Sequence, residues 1–193
     1  MRIDLLRHGA TQLGHTLRGS TDDALTEQGW QQMQQTVAQA STAWHIIFTS
    51  PLQRCQRFAE DLAQQLDISC HIIPTLQEMH FGSWEGQTTQ HLYEKYPEDL
   101  AKFWQTPTQF TPPQAESLQA FAARIQQSLC LMQEVMQSKH LQHALVVTHG
   151  GVIKYLKCRA QAQPLDLILT MSAELAQLHP FEWHEQQWLE VKQ

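Results

Sequence analysis

The sequence predicts an α/β fold, a three-layer α/β/α sandwich around a mainly parallel sheet. Short apolar runs alternate with amphipathic helical patterns along the chain, the signature of strand–helix–strand units. Arginine and histidine cluster directly after three of the clearest apolar runs, where open α/β sheets place their ligands. At 193 residues the chain is long enough for one domain with its own core. It shows no internal repeat and no linker, so a single domain over 1–193 is expected.

Each element has a local reason. Ile3 to Leu6 is a short apolar run and reads as a buried strand. Thr26 is placed to cap a helix whose apolar face is Trp30, Met33 and Val37, at spacings of three and four. His45 to Thr49 reads as a second buried strand. Ser50-Pro51 then offers a capping residue with proline at the first helical position. Leu52, Cys55, Phe58, Ala59, Leu62, Ala63 and Leu66 follow at a 3.6-residue period. Cys70 to Ile73 is a third strand. Thr106 to Gln114, with Pro107, Pro112 and Pro113, reads as a loop. Glu116 to Lys139 carries a long helix with Leu118, Phe121, Ile125, Leu129, Met132 and Met136 inward. Ala144 to Thr148 is a strand and Gly151 to Cys158 a helix. Glu174 to Trp183 and Trp188 to Lys192 read as two closing strands.

Composition excludes several functions. The charged fraction is 17% and the hydrophobic fraction 42%, with glutamine filling the polar surface, a globular pattern. No apolar run reaches membrane-spanning length, and Arg7 interrupts the first one, so neither a membrane span nor a signal peptide is expected. The net charge of −6 argues against broad nucleic-acid binding. Any anion must be held by a local basic pocket. The four cysteines show no CxxC spacing and read as reduced thiols of a cytoplasmic protein.

That local pocket is visible in the clusters. Arg7-His8-Gly9 follows the first strand. Arg54 lies in the first turn of the helix after the second. His149-Gly150-Gly151 follows the Ala144–Thr148 strand. The topology should bring two arginines and two histidines to one crevice, joined by helix N-termini with their free N–H groups. Guanidinium forks suit a phosphate dianion. A neutral imidazole within such a pocket is a competent nucleophile toward phosphorus, and a nearby carboxylic acid would protonate the leaving oxygen. Arg54 in a first turn goes against the helix dipole, which favours a bound anion there. A zinc site on His8 and His149 lacks an obvious third ligand, and the arginines would repel the cation. No metal and no cofactor is expected, and no GxxxxGK[ST] phosphate loop is present.

These residues fall into motifs. Leu6-Arg7-His8-Gly9-Ala10-Thr11 resembles the LxRHGxT signature of the histidine phosphatase superfamily, which is phosphoglycerate-mutase-like in fold. Ser50-Pro51-Leu52-Gln53-Arg54-Cys55 is similar to its SPLxRA segment, and Val147-Thr148-His149-Gly150-Gly151-Val152 to its VTHGGV segment. Leu76 to Gly86 (LQEMHFGSWEG) resembles the block that supplies the family's acid. The resemblance implies that His8 becomes phosphohistidine. It implies that Arg7, Arg54 and His149 bind the phosphoryl oxygens. Glu78 is implied as proton donor and then base; were it not the acid, Glu85 or a water held by Glu116 would be the next candidate. Thr11, Arg18, Gly19 and Gly150 complete the implied phosphate-binding set. Ala10, Gly14, Cys55 and Ala115 depart from the family pattern. The Cys55 departure is expected to alter only packing.

The leaving group is chosen by a lid-like insertion at about 79–117. Its run from Phe81 through Tyr96-Pro97, Phe103-Trp104, Phe110 and Pro112-Pro113 to Glu116-Ser117 is most similar to the α-ribazole-5′-phosphate phosphatase group. That likeness implies hydrolysis of α-ribazole 5′-phosphate in cobalamin nucleotide-loop assembly, with aromatics either stacking on the base or fixing the lid to the core. A broad-specificity or sugar-phosphate phosphatase is the alternative. A phosphoglycerate mutase is disfavoured by Met79, where mutases carry arginine. A non-catalytic phospho-ligand binder would need neither His8 nor Glu78. The partner implied is a small phosphomonoester, with homodimer formation left open.

Overall fold

The computed structural model describes residues 1–41, 43–184 and 187–191. Six strands form one sheet: β1 (Arg2–Arg7), β2 (Ile46–Thr49), β3 (Ser69–Ile72), β4 (His143–Thr148), β5 (Leu178–His184) and β6 (Gln187–Glu190). Their spatial order is β3-β2-β4-β1-β5-β6. The first four are mutually parallel, and β5 and β6 add antiparallel at the β1 edge. Six α-helices accompany them: α1 (Glu27–Gln39), α2 (Gln53–Leu66), α3 (Thr89–Lys95), α4 (Pro97–Gln105), α5 (Leu118–Ser138) and α6 (Gly150–Ala160). Among the described residues no helix is long and apolar enough to cross a membrane.

Strand periodicity builds the two outer layers. Leu6, Ile47, Leu145 and Val147 face one side and pack on Met33 of α1 and Cys55, Phe58, Ala59, Leu62 and Ala63 of α2. Ile3, Leu5, Ile46, Phe48, Ala144 and Val146 face the other, in one buried cluster with residues of α5 and α6 that extends to Leu92 of α3 and Leu100 and Phe103 of α4. Both faces of the central strands are thus covered, as a parallel sheet requires. Phe58 is 1% exposed, so its truncation to alanine should cost about 3–5 kcal/mol.

Several boundaries differ from the sequence reading. The helix after Ser50-Pro51 begins at Gln53, with Leu52 at the cap position. The Ser50 hydroxyl is engaged elsewhere, 2.7 Å from His149 Nε2, and Asp22 Oδ1 accepts the Gln53 N–H at 2.7 Å instead. The long helix starts at Leu118, capped by Ser117, whose hydroxyl accepts the Ala120 N–H at 3.1 Å. The Glu174–Trp183 strand starts only at Leu178, because Ala176 takes a left-handed φ of 53° and donates its N–H to Arg7 O. The expected end of the last strand at Lys192 lies outside the described residues. The 79–117 segment carries two helices, α3 and α4, where the sequence reading assigned none. Trp84, 2% exposed, meets Phe103 edge to face and Phe110 at a tilt, all within the 79–117 segment, and belongs to the same buried cluster as Phe121 and Ile125 of α5.

Candidate active site

The site forms where β1, β4 and β2 end together. Arg7 closes β1 and is in register with Thr148, the last residue of β4. His8 and His149 are therefore the next residues of two neighbouring strands. The His8 N–H donates to Thr148 O at 3.0 Å, and the two rings meet edge to face with centroids 5.4 Å apart. Gly9 must lack a side chain here, because a Cβ would overlap the backbone of Gly29 in α1.

The backbone fixes the His8 tautomer. Nδ1 lies 2.9 Å from Gly9 O. A carbonyl only accepts, so Nδ1 carries the hydrogen and Nε2 the lone pair. Burial is the main force holding the ring neutral. With the charges of Arg54, Arg7 and Arg18 it outweighs the Gly9 bond and pushes the pKa down to about 3. His149 is fully buried, with Cys55 Sγ 3.7 Å from its Nε2. Burial again, then Arg54, His8 and Arg7, hold it well below the usual imidazole range. Burial pushes the Cys55 thiol up to about 12, so it stays protonated as a packing group.

The arginines are positioned by main-chain oxygens. Arg54, fully buried, donates to Gly19 O at 2.8 Å and Thr21 O at 2.7 Å, with Asp23 Oδ1 at 3.4 Å. The protein itself thus answers much of the dipole conflict that the sequence reading assigned to a bound anion. Arg7 donates to Ala173 O. The Nε atoms of Arg7 and Arg54 are buried with no partner among the described residues. Gly150 lies against the Arg7 guanidinium, where a Cβ would stand 3.1 Å from Cζ and Nε.

Glu78 is held from two sides. Oε1 accepts the Met79 N–H at 2.9 Å, and Oε2 accepts the Gly151 N–H at the start of α6 at 2.8 Å. Its main chain is clamped by Arg124 of α5. That guanidinium donates to Thr75 O (2.9 Å), Gln77 O (2.6 Å) and Glu78 O (2.8 Å), and pairs with Glu116 through both carboxylate oxygens. Sequence reasoning missed Arg124. Glu85, the neighbouring acid, is otherwise engaged. It accepts from the N–H and hydroxyl of both Ser20 and Thr21, and from the Phe81 N–H. Burial raises its pKa, but these donors together outweigh burial and leave the carboxyl below its ordinary range.

A cavity of about 520 Å³ opens above these groups. Arg7, His8, Thr11, Arg18, Glu78 and Gly150 line it. Arg54 and His149 are not among its lining residues, being fully buried. Gly19 does not line it either, and its carbonyl serves Arg54. His15 also lines the cavity, while His80 stands 3.8 Å from Glu85. The lining also carries the apolar side chains of Phe81, Phe103, Trp104, Phe121, Ile168 and Leu169. Among the described residues no group of three or more His, Cys, Asp or Glu side chains could hold a metal.

Comparison with known proteins agrees with this geometry. The family model of the histidine phosphatase superfamily (branch 1) matches residues 3–193. The chain is 29% identical over 169 residues to the adenosylcobalamin/alpha-ribazole phosphatase of Escherichia coli, covering 86% of this chain and 82% of that one. It is 30% identical over 187 residues to a bifunctional protein of Mycobacterium tuberculosis, covering 95% of this chain and 50% of that longer one. The crystal structure of the alpha-ribazole phosphatase from Shigella flexneri superposes with a TM-score of 0.84 at 25% identity, over 99% of this chain and 95% of that one.

Proposed function

Because the chain belongs to the histidine phosphatase superfamily and is a phosphatase, we propose that it hydrolyses α-ribazole 5′-phosphate to α-ribazole through a phosphohistidine at His8. The observation that carries this reading is a cavity whose lining brings a neutral, tethered histidine and two arginines together with several aromatic side chains. The charged groups suit a phosphate dianion. The rings of Phe81, Phe103, Trp104 and Phe121 suit a flat apolar base.

The chemistry follows from the positions. Arg7, Arg18 and the Gly150 N–H at the start of α6 take the phosphoryl oxygens, with the buried Arg54 adding positive charge and the neutral His149 packed beside His8 beneath the cavity lining. The His8 Nε2 lone pair forms the N–P bond while the ester P–O bond breaks. The departing oxygen takes the proton from the Glu78 carboxyl. Water then attacks phosphorus, Glu78 takes a proton from it, and the N–P electron pair returns to Nε2 as inorganic phosphate leaves. Thr11 lines the same cavity, and Gly19 supports Arg54. Little beyond positioning and charge stabilisation is needed for phosphoryl transfer.

The same reading takes the chain as one domain with residues of about 79–117 as its lid. It places the reaction in the cytoplasm, on small molecules rather than nucleic acids, in keeping with the net charge of −6. The test is a turnover screen over α-ribazole 5′-phosphate, sugar phosphates and phosphoglycerates. The expected kcat/KM for α-ribazole 5′-phosphate exceeds that for ribose 5-phosphate by at least about tenfold, the worth of one stacked aromatic ring. Equal turnover of ribose 5-phosphate would move the assignment to a broad-specificity sugar-phosphate phosphatase.

A further inference from the structure

Lys154 stands in the cavity without an assigned task. It lies on α6 three residues after Gly151 and four after Gly150. Those spacings put it on the same helix face, one turn of about 5.4 Å further along. Gly150 faces the Arg7 guanidinium and Gly151 faces the Glu78 carboxylate. All three α6 residues line the cavity. Lys154 therefore stands one helical turn beyond the residues of α6 that face Arg7 and Glu78, in the same cavity as the apolar lining residues.

What sets it apart is its lack of a partner. Arg7 donates to Ala173 O, and Arg18 donates to Gly14 O and pairs with Asp23 Oδ2 at 3.0 Å. Lys154 makes no hydrogen bond or ion pair among the described residues. Burial lowers its pKa, with Arg7 adding to the effect and Glu78 and Glu174 opposing it. A half-buried ammonium on the cavity lining can donate a charge-assisted hydrogen bond to a substrate oxygen delivered there.

We infer that Lys154 is a specificity-determining residue that binds an oxygen of the leaving group just beyond the ester oxygen. It thereby selects phosphomonoesters of the ribose 5-phosphate class over esters of plain phenols or alkanols. The inference rests on the proposed roles of His8 and Glu78, which fix where the ester oxygen lies. In α-ribazole 5′-phosphate the ribose would occupy the stretch beside Lys154 and the base would reach the aromatic side chains.

The experiment compares wild type, Lys154→Met and Lys154→Arg on ribose 5-phosphate, 3-phosphoglycerate and phenyl phosphate, which carries no oxygen beyond its ester group. In Lys154→Met the ratio of kcat/KM for ribose 5-phosphate over phenyl phosphate should fall about tenfold, the worth of one charge-assisted hydrogen bond. The loss should sit mainly in KM, and Lys154→Arg should restore most of the ratio. An unchanged ratio, including an equal loss on both substrates, overturns the inference, since the lysine would then serve the phosphoryl group or the fold. A larger fall for 3-phosphoglycerate than for ribose 5-phosphate also overturns it, by making Lys154 a carboxylate reader. Failure of the α-ribazole assignment would show separately, as a wild type that does not prefer α-ribazole 5′-phosphate to ribose 5-phosphate.

Discussion

Adding one methyl group at Gly151 should disable the proposed acid while sparing the nucleophile. A Cβ at this position would stand 3.1 Å from Glu78 Cδ and 3.4 Å from Oε2, and closer still to Oε1. The carboxylate must move away, and the Gly151 N–H to Oε2 bond of 2.8 Å goes with it. A displacement of about 1 Å from a productive geometry costs on the order of 10²-fold in rate, and general acid catalysis is worth about 10²–10⁴-fold. Gly151→Ala should therefore lower kcat on ribose 5-phosphate about 10²-fold, because an alkoxide leaves poorly without a proton. On p-nitrophenyl phosphate, whose leaving group needs no proton, the loss should be under about fivefold, for the same reason. Steady-state kinetics on both substrates, with Glu78→Gln alongside, reads the difference. An equal loss on both, with Glu78→Gln showing selective loss, would mean that the methyl group disturbs the phosphate-binding groups instead. An equal loss in Glu78→Gln would remove Glu78 from the acid role.

Two further outcomes follow from groups outside the reacting set. Arg124→Met removes the clamp on the Glu78 main chain and leaves Glu116 unpaired. It should lower unfolding stability by about 3 kcal/mol in urea and reduce kcat about tenfold with KM little changed; a KM-only effect would deny the positioning role. His179 is buried away from the cavity, and burial, helped by Lys157, depresses its pKa to about 4. A histidine with a depressed folded pKa contributes stability that is full above its unfolded value of about 6.5 and lost as pH falls toward about 4, near 1.4 kcal/mol per unit. His179→Gln should therefore flatten the stability profile by about 2 kcal/mol between pH 6.5 and 4.5, and an unchanged slope in urea titrations would contradict the assignment.

The sequence carries the frame of this molecule in particular places. Ile46–Thr49 and His143–Thr148 are buried throughout, so continuous apolar runs mark them without ambiguity. Thr26 shows its cap because the hydroxyl bonds locally, to the Gly29 N–H at 3.0 Å. Ser50 misleads because its hydroxyl has a tertiary partner, His149, 99 residues away. Helices α3 and α4 have 7 and 9 residues, too short for a periodic pattern to stand out. His8, Glu78 and Arg7 sit in recognisable motifs, but Arg124 does not, since three of its acceptors are carbonyl oxygens that leave no mark on residue type. The same holds for Glu85, whose five donors come from backbone N–H groups and two hydroxyls. Lys154 reads as an ordinary helix lysine until the cavity around it is seen.

The central claim is that phosphorus is transferred to His8 Nε2. Rapid quench with phosphate-labelled substrate, followed by digestion and peptide mapping, tests it directly. The expected result is an acid-labile, base-stable phosphoenzyme on the peptide containing His8, formed within one turnover and absent from His8→Ala. Label on any other residue, or burst-free hydrolysis by wild type with substantial turnover by His8→Ala, would contradict it.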